Sequence, residues 1–210
     1  MKKIMFNDRY GLTQAVLEGK KTMTRRNAEE LNHPLVTDIS EWCIDDKGKA
    51  HVMITYSTGV KEAVYPTYQP GEEIAIAQKY WDLRNCDAFY EALQKADPTF
   101  PLECIQDEKG CHNKMFVKAQ WMPHRIRINN IKVERLQDIS AGDIMREGIR
   151  QSVVEYGDKK IVQWTYFGEK ITTWFDSPRE AFAALIDRIS GKGTWNSNPW
   201  VYAYEFELLR

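Results

Sequence analysis

The sequence GKKTMTRR, residues 19–26, is the segment of this 210-residue chain that most constrains its fold and its chemistry. Apolar residues at helical spacing precede it, and Gly19 is of the type that commonly ends a helix. The alternation of Thr22, Thr24 and Arg26 then predicts an extended strand with these three side chains on one face. Two hydroxyls and a guanidinium on one face favour an anion or a nucleobase as ligand.

The composition indicates a packed globular protein, with 43% hydrophobic and 12% aromatic residues. Lys and Arg number 29 against 30 Asp and Glu, which gives a net charge of −1. Any nucleic-acid contact must therefore use a local basic patch, and binding to long duplex DNA is not expected. Because the chain has no run of about 18 apolar residues and no signal-peptide core, we expect a cytoplasmic protein without a membrane partner.

Strand patterns outnumber helical ones along the chain, and they lack the regular strand–helix alternation of a parallel sheet. We therefore predict one α+β domain over residues 1–210, a mixed or antiparallel β-barrel flanked by about three helices. Two stretches interrupt the pattern and are interpreted as insertions. Residues 82–113 contain a helical pattern and three of the four cysteines, and residues 150–174 resemble a solvent-facing hairpin that turns at Gly157 and Asp158. Between them, Met115–Trp121 is predicted to be a strand.

Two helix starts are clearly marked. Ser140 is followed by Asp143 at capping-box spacing, and Gly148 ends that helix after a short run. Ser177 is followed by proline and by Glu180, the pattern of a second capped helix. Both helices are therefore expected to begin where their serine stands.

The cysteines raise the question of a metal site. Cys86, Cys104, Cys111 and His112 are the candidate ligands, and Cys43 stands apart from them. No Cys-x-x-Cys pair occurs, and the spacings are loose for structural zinc, so free thiols in a reducing compartment are favoured. We predict no metal and no cofactor.

The motif GxKTxTxR at residues 19–26 resembles the opening motif of ASCH domains, a branch of the PUA-like superfamily with a β-barrel fold. The resemblance continues through LQDI at residues 136–139 and EGI at residues 147–149. It ends in WNSNPWVYAYEF at residues 195–206, where the Asn-Pro-Trp ending is most similar to ASCH-like proteins encoded by bacteriophages and prophages. The two insertions fall outside the resemblance.

The resemblance implies an activity and three catalytic residues. ASCH domains are proposed RNA binders, and certain small bacterial members are amidohydrolases that remove the acetyl group of N4-acetylcytidine. Carried onto this chain, their catalytic residues become Lys21, Thr24 and Glu147. Amide hydrolysis requires a nucleophile, a base and a group that handles the proton of the leaving amine.

A lysine can activate the threonine hydroxyl when desolvation or neighbouring cations lower its pKa. Lys20, Arg25 and Arg26 are the candidate cations. Alternation along the strand assigns Lys20 and Arg25 to the face opposite Thr24, as sources of positive potential or as surface residues. Arg26 is a candidate for holding a carbonyl oxygen or a phosphate.

Hydroxyl, cationic, aromatic and amide side chains complete the predicted substrate site: Thr22, Arg26, Tyr80, Trp81, Trp195, Asn196 and Asn198. Aromatic rings can stack a base, and an asparagine amide can read a pyrimidine edge with one donor and one acceptor. The alternative is that the large aromatic residues fill the core, as they commonly do.

Three functions remain open at this level. The first is binding of a modified pyrimidine nucleoside or RNA base with hydrolysis of an N4-acyl amide. The second is a non-catalytic RNA-binding module that uses the same cleft for phosphate and base. The third is a phage accessory protein that binds a protein partner through its insertions.

Overall fold

A computed structural model of the chain describes residues 1–156, 159–167 and 173–209. The helices of this part are α1 (Leu12–Leu17), α2 (Asp87–Ala96), α3 (Ala141–Arg146), α4 (Pro178–Ser190) and α5 (Thr194–Ser197). The strands are β1 (Lys3–Ile4), β2 (Met23–Asn27), β3 (Val36–Ile39), β4 (Cys43–Ile44), β5 (Ala50–Tyr56), β6 (Lys61–Val64), β7 (Glu73–Ile76), β8 (Arg125–Arg135), β9 (Ile149–Tyr156), β10 (Lys159–Tyr166) and β11 (Trp200–Leu209). The prediction of an α+β protein is confirmed.

The main sheet has five strands in the order β1-β7-β8-β11-β2. β1 and β7 are parallel, and the other pairs are antiparallel. The long β8–β11 pair changes register between Glu205 and Phe206, because Glu205 lies opposite Asn130 and Phe206 lies opposite Ile128. Asn129 is thus the extra residue of a β-bulge.

The strands of the described residues do not close a barrel. β3, β5 and β4 form a second sheet that β6 extends, and β9 and β10 pair only with each other. β1 and β2 are the open edges of the main sheet. β1 stops after two residues, and just beyond it the Arg26 side chain donates to the carbonyl of Met5 at 2.6 Å. In a closed barrel, β1 and β2 would instead be joined by main-chain hydrogen bonds.

Helix starts follow the predicted caps. The Ser140 hydroxyl accepts from the backbone N–H of Asp143 at 3.1 Å, and the Ser177 hydroxyl accepts from that of Glu180 at 3.2 Å. The helix α5, near the C-terminus, was not predicted. No helix within the described ranges is both long enough and apolar enough to cross a membrane.

The interior is divided into two apolar clusters. The larger one lies between the main sheet and the helices α1, α3 and α4. The smaller one is formed by the first insertion and its flanks. There the ring centre of Tyr80 lies 5.5 Å from that of Phe89, on which it stacks, and 5.4 Å from that of Trp121. The predicted strand over Met115–Trp121 is wrong, since Lys114–Phe116 and Ala119–Trp121 are short 3-10 turns.

The second insertion forms the predicted solvent-facing hairpin. β9 and β10 are antiparallel, and Val153 pairs with Val162 while both are exposed to solvent. The proposed turn residues, Gly157 and Asp158, lie outside the described residues.

Candidate active site

Lys21 reaches the interior because the chain turns sharply after α1. Gly19 has a φ of 69°, and the backbone N–H groups of Lys20 and Lys21 both donate to the carbonyl of Ala15, at 2.8 and 2.9 Å. This turn ends the helix and directs Lys21 inward, where its side chain is only 2% exposed. Lys20 stays at the surface and pairs with Glu18.

Glu147 arrives from the middle of the sequence, as the residue that ends α3. The next residue, Gly148, has a φ of 96°, and a Cβ there would lie 3.4 Å from Leu12 Cδ2 and 3.6 Å from Lys21 Cδ. These are ordinary van der Waals distances, so glycine is favoured here by its backbone conformation. The end of α3 packs directly against the segment that follows α1.

Lys21, Arg25 and Glu147 form a buried ionic cluster. Lys21 Nζ donates to the main-chain oxygen and to Oε2 of Glu147, both at 2.7 Å, and Arg25 Nη1 donates to Glu147 Oε1 at 2.9 Å. Burial lowers the pKa of Lys21. Glu147 opposes that shift, while Arg26 and Arg25 add to it. The conditions expected of an activating lysine, desolvation and nearby cations, are both present.

The sequence assigned Arg25 to the face opposite Thr24, as a source of positive potential or as a surface residue, and the structure corrects the surface alternative. The Arg25 side chain is 1% exposed, and its Nε donates to Glu134 at 2.8 Å while its Nη2 lies 3.3 Å from Asp143 Oδ2. Alternation does separate Arg25 from Thr24, but both faces of β2 are covered, so neither face is a solvent face. Glu134 and Asp143 were missed because nothing local marks them as partners of Arg25.

Thr24 lines a cavity of about 300 Å³ that also contains Lys21, Arg25, Arg26 and Glu147. We call it the Lys21 cavity. Five residues of α4 also line it: Phe182, Leu185, Ile186, Ile189 and Ser190. Thr24 is buried, and its hydroxyl makes no hydrogen bond to any described residue, Lys21 included. The hydroxyl is thus available to a ligand.

Backbone groups add hydrogen-bonding capacity to this cavity, because β2 is an open edge. Thr22 O accepts from Phe206 N at 2.9 Å, and Ala28 N donates to Trp200 O at 3.1 Å. In an antiparallel pair alternate residues face the partner strand, so the even-numbered residues of β2 face β11. The N–H and C=O groups of Arg25 and Asn27 consequently point away from β11, and both residues line the Lys21 cavity.

Arg26 and Thr22 differ in their suitability as substrate-binding residues. Arg26 lines the Lys21 cavity, and its Nε is buried with no hydrogen-bond partner among the residues described. Thr22 does not line the cavity, because its hydroxyl accepts from Arg146 Nε at 3.2 Å and its backbone N–H donates to Arg146 O at 2.9 Å. Thr22 therefore joins β2 to the end of α3, and its predicted role as a substrate ligand is not supported by this geometry.

The structure does not bring Tyr80 or Trp81 to the Lys21 cavity. Tyr80 is 1% exposed in the smaller apolar cluster, where burial raises its pKa to about 12 and its hydroxyl accepts from the backbone N–H of Lys118. Trp81 is 45% exposed and lies beneath the guanidinium of Arg84, 4.6 Å from its ring. These two aromatics lie just before the first insertion, at the start of the 3-10 turn Tyr80–Leu83.

Trp195, Asn196 and Asn198 lie near the cleft but outside the lining of the Lys21 cavity. Trp195 packs edge-on against Phe182 at 6.0 Å, and Asn196 is exposed. Asn198 adopts a left-handed conformation with a φ of 45°, and its Oδ1 accepts from Gln137 N at 2.8 Å. Asn198 therefore shapes the chain before β11 and is not free to read a base.

The cysteines do not assemble into a cluster. Within the described ranges all four thiols are free, and no group of three or more His, Cys, Asp or Glu side chains is placed to hold a metal ion.

Comparison with known proteins gave no match to a family model, to a curated protein or to a solved structure.

Proposed function

We propose that this protein is an ASCH-type member of the PUA-like superfamily that binds a modified pyrimidine nucleoside in the Lys21 cavity and hydrolyses its N4-acyl amide. One observation carries the proposal. Lys21, Thr24 and Glu147 line a single cavity, and the Lys21 and Glu147 side chains are 2.7 Å apart although 126 positions separate them in the chain. These are the three residues that the resemblance singles out.

The chemistry assigned to them begins from the resting ion pair. Transfer of the Lys21 proton to Glu147 produces a neutral amine beside a carboxylic acid, and a buried site favours neutral forms. As the Thr24 oxygen attacks the acyl carbon, neutral Lys21 takes the hydroxyl proton. Glu147 then supplies a proton to N4 as the C–N bond breaks. Water hydrolyses the resulting Thr24 ester and releases the carboxylic acid.

Arg26 is the residue best placed to stabilise the oxyanion of the tetrahedral intermediate. Its Nη2 is held by Met5 O, while its buried Nε keeps an N–H without a partner in the described structure. A donor that is already oriented and desolvated lowers the barrier more than one that must be recruited from water. The backbone N–H and C=O of Arg25, on the open edge of β2, are suited to the donor and acceptor of a pyrimidine edge.

A non-catalytic RNA-binding module is the second candidate, and one observation favours it. The Thr24 hydroxyl is not hydrogen-bonded to Lys21, whose Nζ donates twice to Glu147. If the protein is a hydrolase, the two hydrogen bonds from Lys21 to Glu147 are the resting state, and proton transfer to Glu147 frees Lys21 to accept the Thr24 proton. If the protein only binds RNA, these hydrogen bonds are permanent, and Lys21 serves only to organise the cleft.

Turnover of N4-acetylcytidine separates the two candidates. Purified protein is incubated with the nucleoside, and cytidine release is followed by chromatography, for the parent protein and for Thr24→Val and Thr22→Val. The matched threonines differ in that only Thr24 lines the cavity. We expect Thr24→Val to lose at least about 100-fold in rate and Thr22→Val to lose little. Binding of N4-acetylcytidine without cytidine release by the parent protein would exclude the hydrolase.

A further inference from the structure

A second cavity, of about 560 Å³, adjoins the candidate site and belongs to none of the roles assigned so far. We call it the Arg135 cavity. It shares Arg25, Asn27, Ile186 and Ser190 with the Lys21 cavity, so the two cavities are neighbours on either side of these residues, between β2 and α4. A ligand that reached from Lys21 past Asn27 and Ser190 would approach Arg135.

The ionisable side chains that line the Arg135 cavity are all positively charged. Arg25 and Arg135 are the ionisable residues in its lining, which contains no carboxylate. Arg25 is already neutralised by Glu147 and Glu134. Arg135 has no carboxylate within salt-bridge distance among the described residues, so it supplies the unbalanced positive charge. The nearby carboxylate of Asp187 is engaged by the backbone N–H groups of Gly193 and Trp195.

Arg135 is also held in place before any ligand arrives. Its guanidinium lies 4.5 Å from the centre of the Trp200 ring, and its Nη1 donates to the carbonyl of Asn198 at 3.2 Å. An arginine fixed by an aromatic face and a carbonyl, with further N–H donors unused, is suited to bind the oxygens of a phosphate.

The junction of the two cavities carries neutral donors. The Asn27 Oδ1 accepts from Asn32, which leaves the Asn27 amide N–H groups without a partner in the described residues. The Ser190 hydroxyl likewise makes no hydrogen bond there. By contrast, the hydroxyls of Thr194 and Ser197 are spent on carbonyls of their own turn. Asn27 and Ser190 are thus the groups available to sugar hydroxyls.

The strand register sets the spacing between these parts. Val201 pairs with both Asn27 and Glu134, so Arg135 lies about two strand spacings, or about 10 Å, across the sheet from the Asn27 region. Thr24 precedes Asn27 by three residues of extended strand, which is about another 10 Å. In backbone position, Thr24, Asn27 and Arg135 therefore follow one another in the order in which a nucleotide presents base, sugar and phosphate.

We propose that the Arg135 cavity binds the phosphate of a phosphorylated nucleoside whose modified base occupies the Lys21 cavity. This inference rests on the proposed function for the identity of the base. The phosphate comes from a nucleoside monophosphate or from the phosphodiester of an RNA strand, and both present the same anionic oxygens to Arg135.

The test compares substrates and two arginine variants. N4-acetylcytidine, its 5′- and 3′-monophosphates and a short oligoribonucleotide with N4-acetylcytidine at its centre are assayed for deacetylation. Arg135→Gln is the test variant, and Arg127→Gln is the control. Arg127 lies on the same strand but is exposed and pairs with Glu73 and Glu207. Arg135→Lys tests whether charge without the planar fork is sufficient.

We expect one phosphorylated substrate to exceed the nucleoside in kcat/KM. Arg135→Gln should reduce that preference roughly 10- to 100-fold, and Arg127→Gln should leave it unchanged. A preference for a monophosphate would identify a free nucleotide, and a preference for the oligonucleotide would identify RNA. Equal use of nucleoside and phosphorylated forms, or equal loss on all substrates in Arg135→Gln, would overturn the proposal.

Calorimetric binding of cytidine 5′- and 3′-monophosphate keeps the two proposals separable. If no substrate is deacetylated but a monophosphate binds, and binds more weakly to Arg135→Gln and at higher salt, the phosphate site stands and the hydrolase fails. If the nucleoside is deacetylated and neither monophosphate binds more tightly than cytidine, the hydrolase stands and the phosphate site fails.

Discussion

Replacing Glu147 by glutamine should destabilise the protein mainly through Lys21. Both cations that contact Glu147 are buried, with Lys21 2% and Arg25 1% exposed. When the Glu147 charge is removed, Arg25 still pairs with Glu134 and Asp143, so its charge remains largely compensated. Lys21 keeps only its hydrogen bond to the main-chain oxygen of residue 147. Because one uncompensated buried charge remains on Lys21, we expect the free energy of unfolding to fall by about 3 kcal/mol, which is at the low end for breaking a buried ion pair.

The double variant distinguishes an ion pair from mere proximity. Lys21→Met removes the cation and leaves Glu147 bound to Arg25, so we expect it to cost about 1.5–2 kcal/mol. In Lys21→Met with Glu147→Gln no buried charge is left unpaired. The double variant should therefore be more stable than Glu147→Gln alone, with a coupling of about 2.5 kcal/mol between the sites.

Urea unfolding monitored by circular dichroism measures these free energies at a series of pH values. The pKa of Lys21 is lowered in the folded protein, so the unfolded chain binds more protons between that pKa and the ordinary lysine value of 10.5. Stability consequently rises with pH across this window. Without Glu147 the folded pKa of Lys21 falls further, and the deficit of Glu147→Gln should shrink as the pH is raised. A pH-independent deficit, or a double variant as unstable as the sum of the singles, would refute the buried pair.

The remaining predictions concern catalysis, backbone strain and an unpartnered hydroxyl. The value of kcat/KM for N4-acetylcytidine should fall as the pH is raised through the pKa of Lys21, which lies below 10.5, because the pair then lacks the proton that Glu147 supplies to N4; a profile that is flat across this range would argue against this proton transfer. Gly148→Ala should lower the free energy of unfolding by about 1–2 kcal/mol, because residue 148 has a φ of 96°. Gly142→Ala, inside α3, is the control and should leave the free energy of unfolding unchanged or raise it. Equal effects of the two substitutions would contradict the assignment of strain to Gly148. Tyr202→Phe should leave the free energy of unfolding unchanged or raise it, since the buried Tyr202 hydroxyl has no partner in the described structure. Tyr80→Phe should lower the free energy of unfolding by about 1 kcal/mol, because the Tyr80 hydroxyl accepts a hydrogen bond from Lys118 N. Comparable losses for the two variants in urea unfolding would show that the Tyr202 hydroxyl is satisfied.

Features set by local chemistry could be predicted from the sequence. Gly19 ends α1, and Ser140 and Ser177 cap their helices, each as expected. A cap depends on residues within a few positions of one another, so its signal is contained in a short stretch of sequence.

Features that depend on what covers a segment could not be predicted. Val117, Ala119 and Trp121 are buried at alternate positions, a strand-like period, but they pack into the smaller apolar cluster and pair with no strand of the described chain. Tyr80 was interpreted as a stacking residue because an aromatic side chain has the same sequence signal in a core and in a binding site. The surface alternative for Arg25 was wrong because alternation assumes one solvent-facing side, whereas both faces of β2 are covered.

The most direct test of the central claim, that Lys21 and Glu147 activate Thr24 within one cavity, is cytidine release from N4-acetylcytidine measured with binding in the same preparation. We expect steady release by the parent protein and a loss of roughly 100- to 10,000-fold in rate in Lys21→Met, with the nucleoside still bound. Equal rates in the parent protein and Lys21→Met, or tight binding without any release by the parent protein, would contradict it.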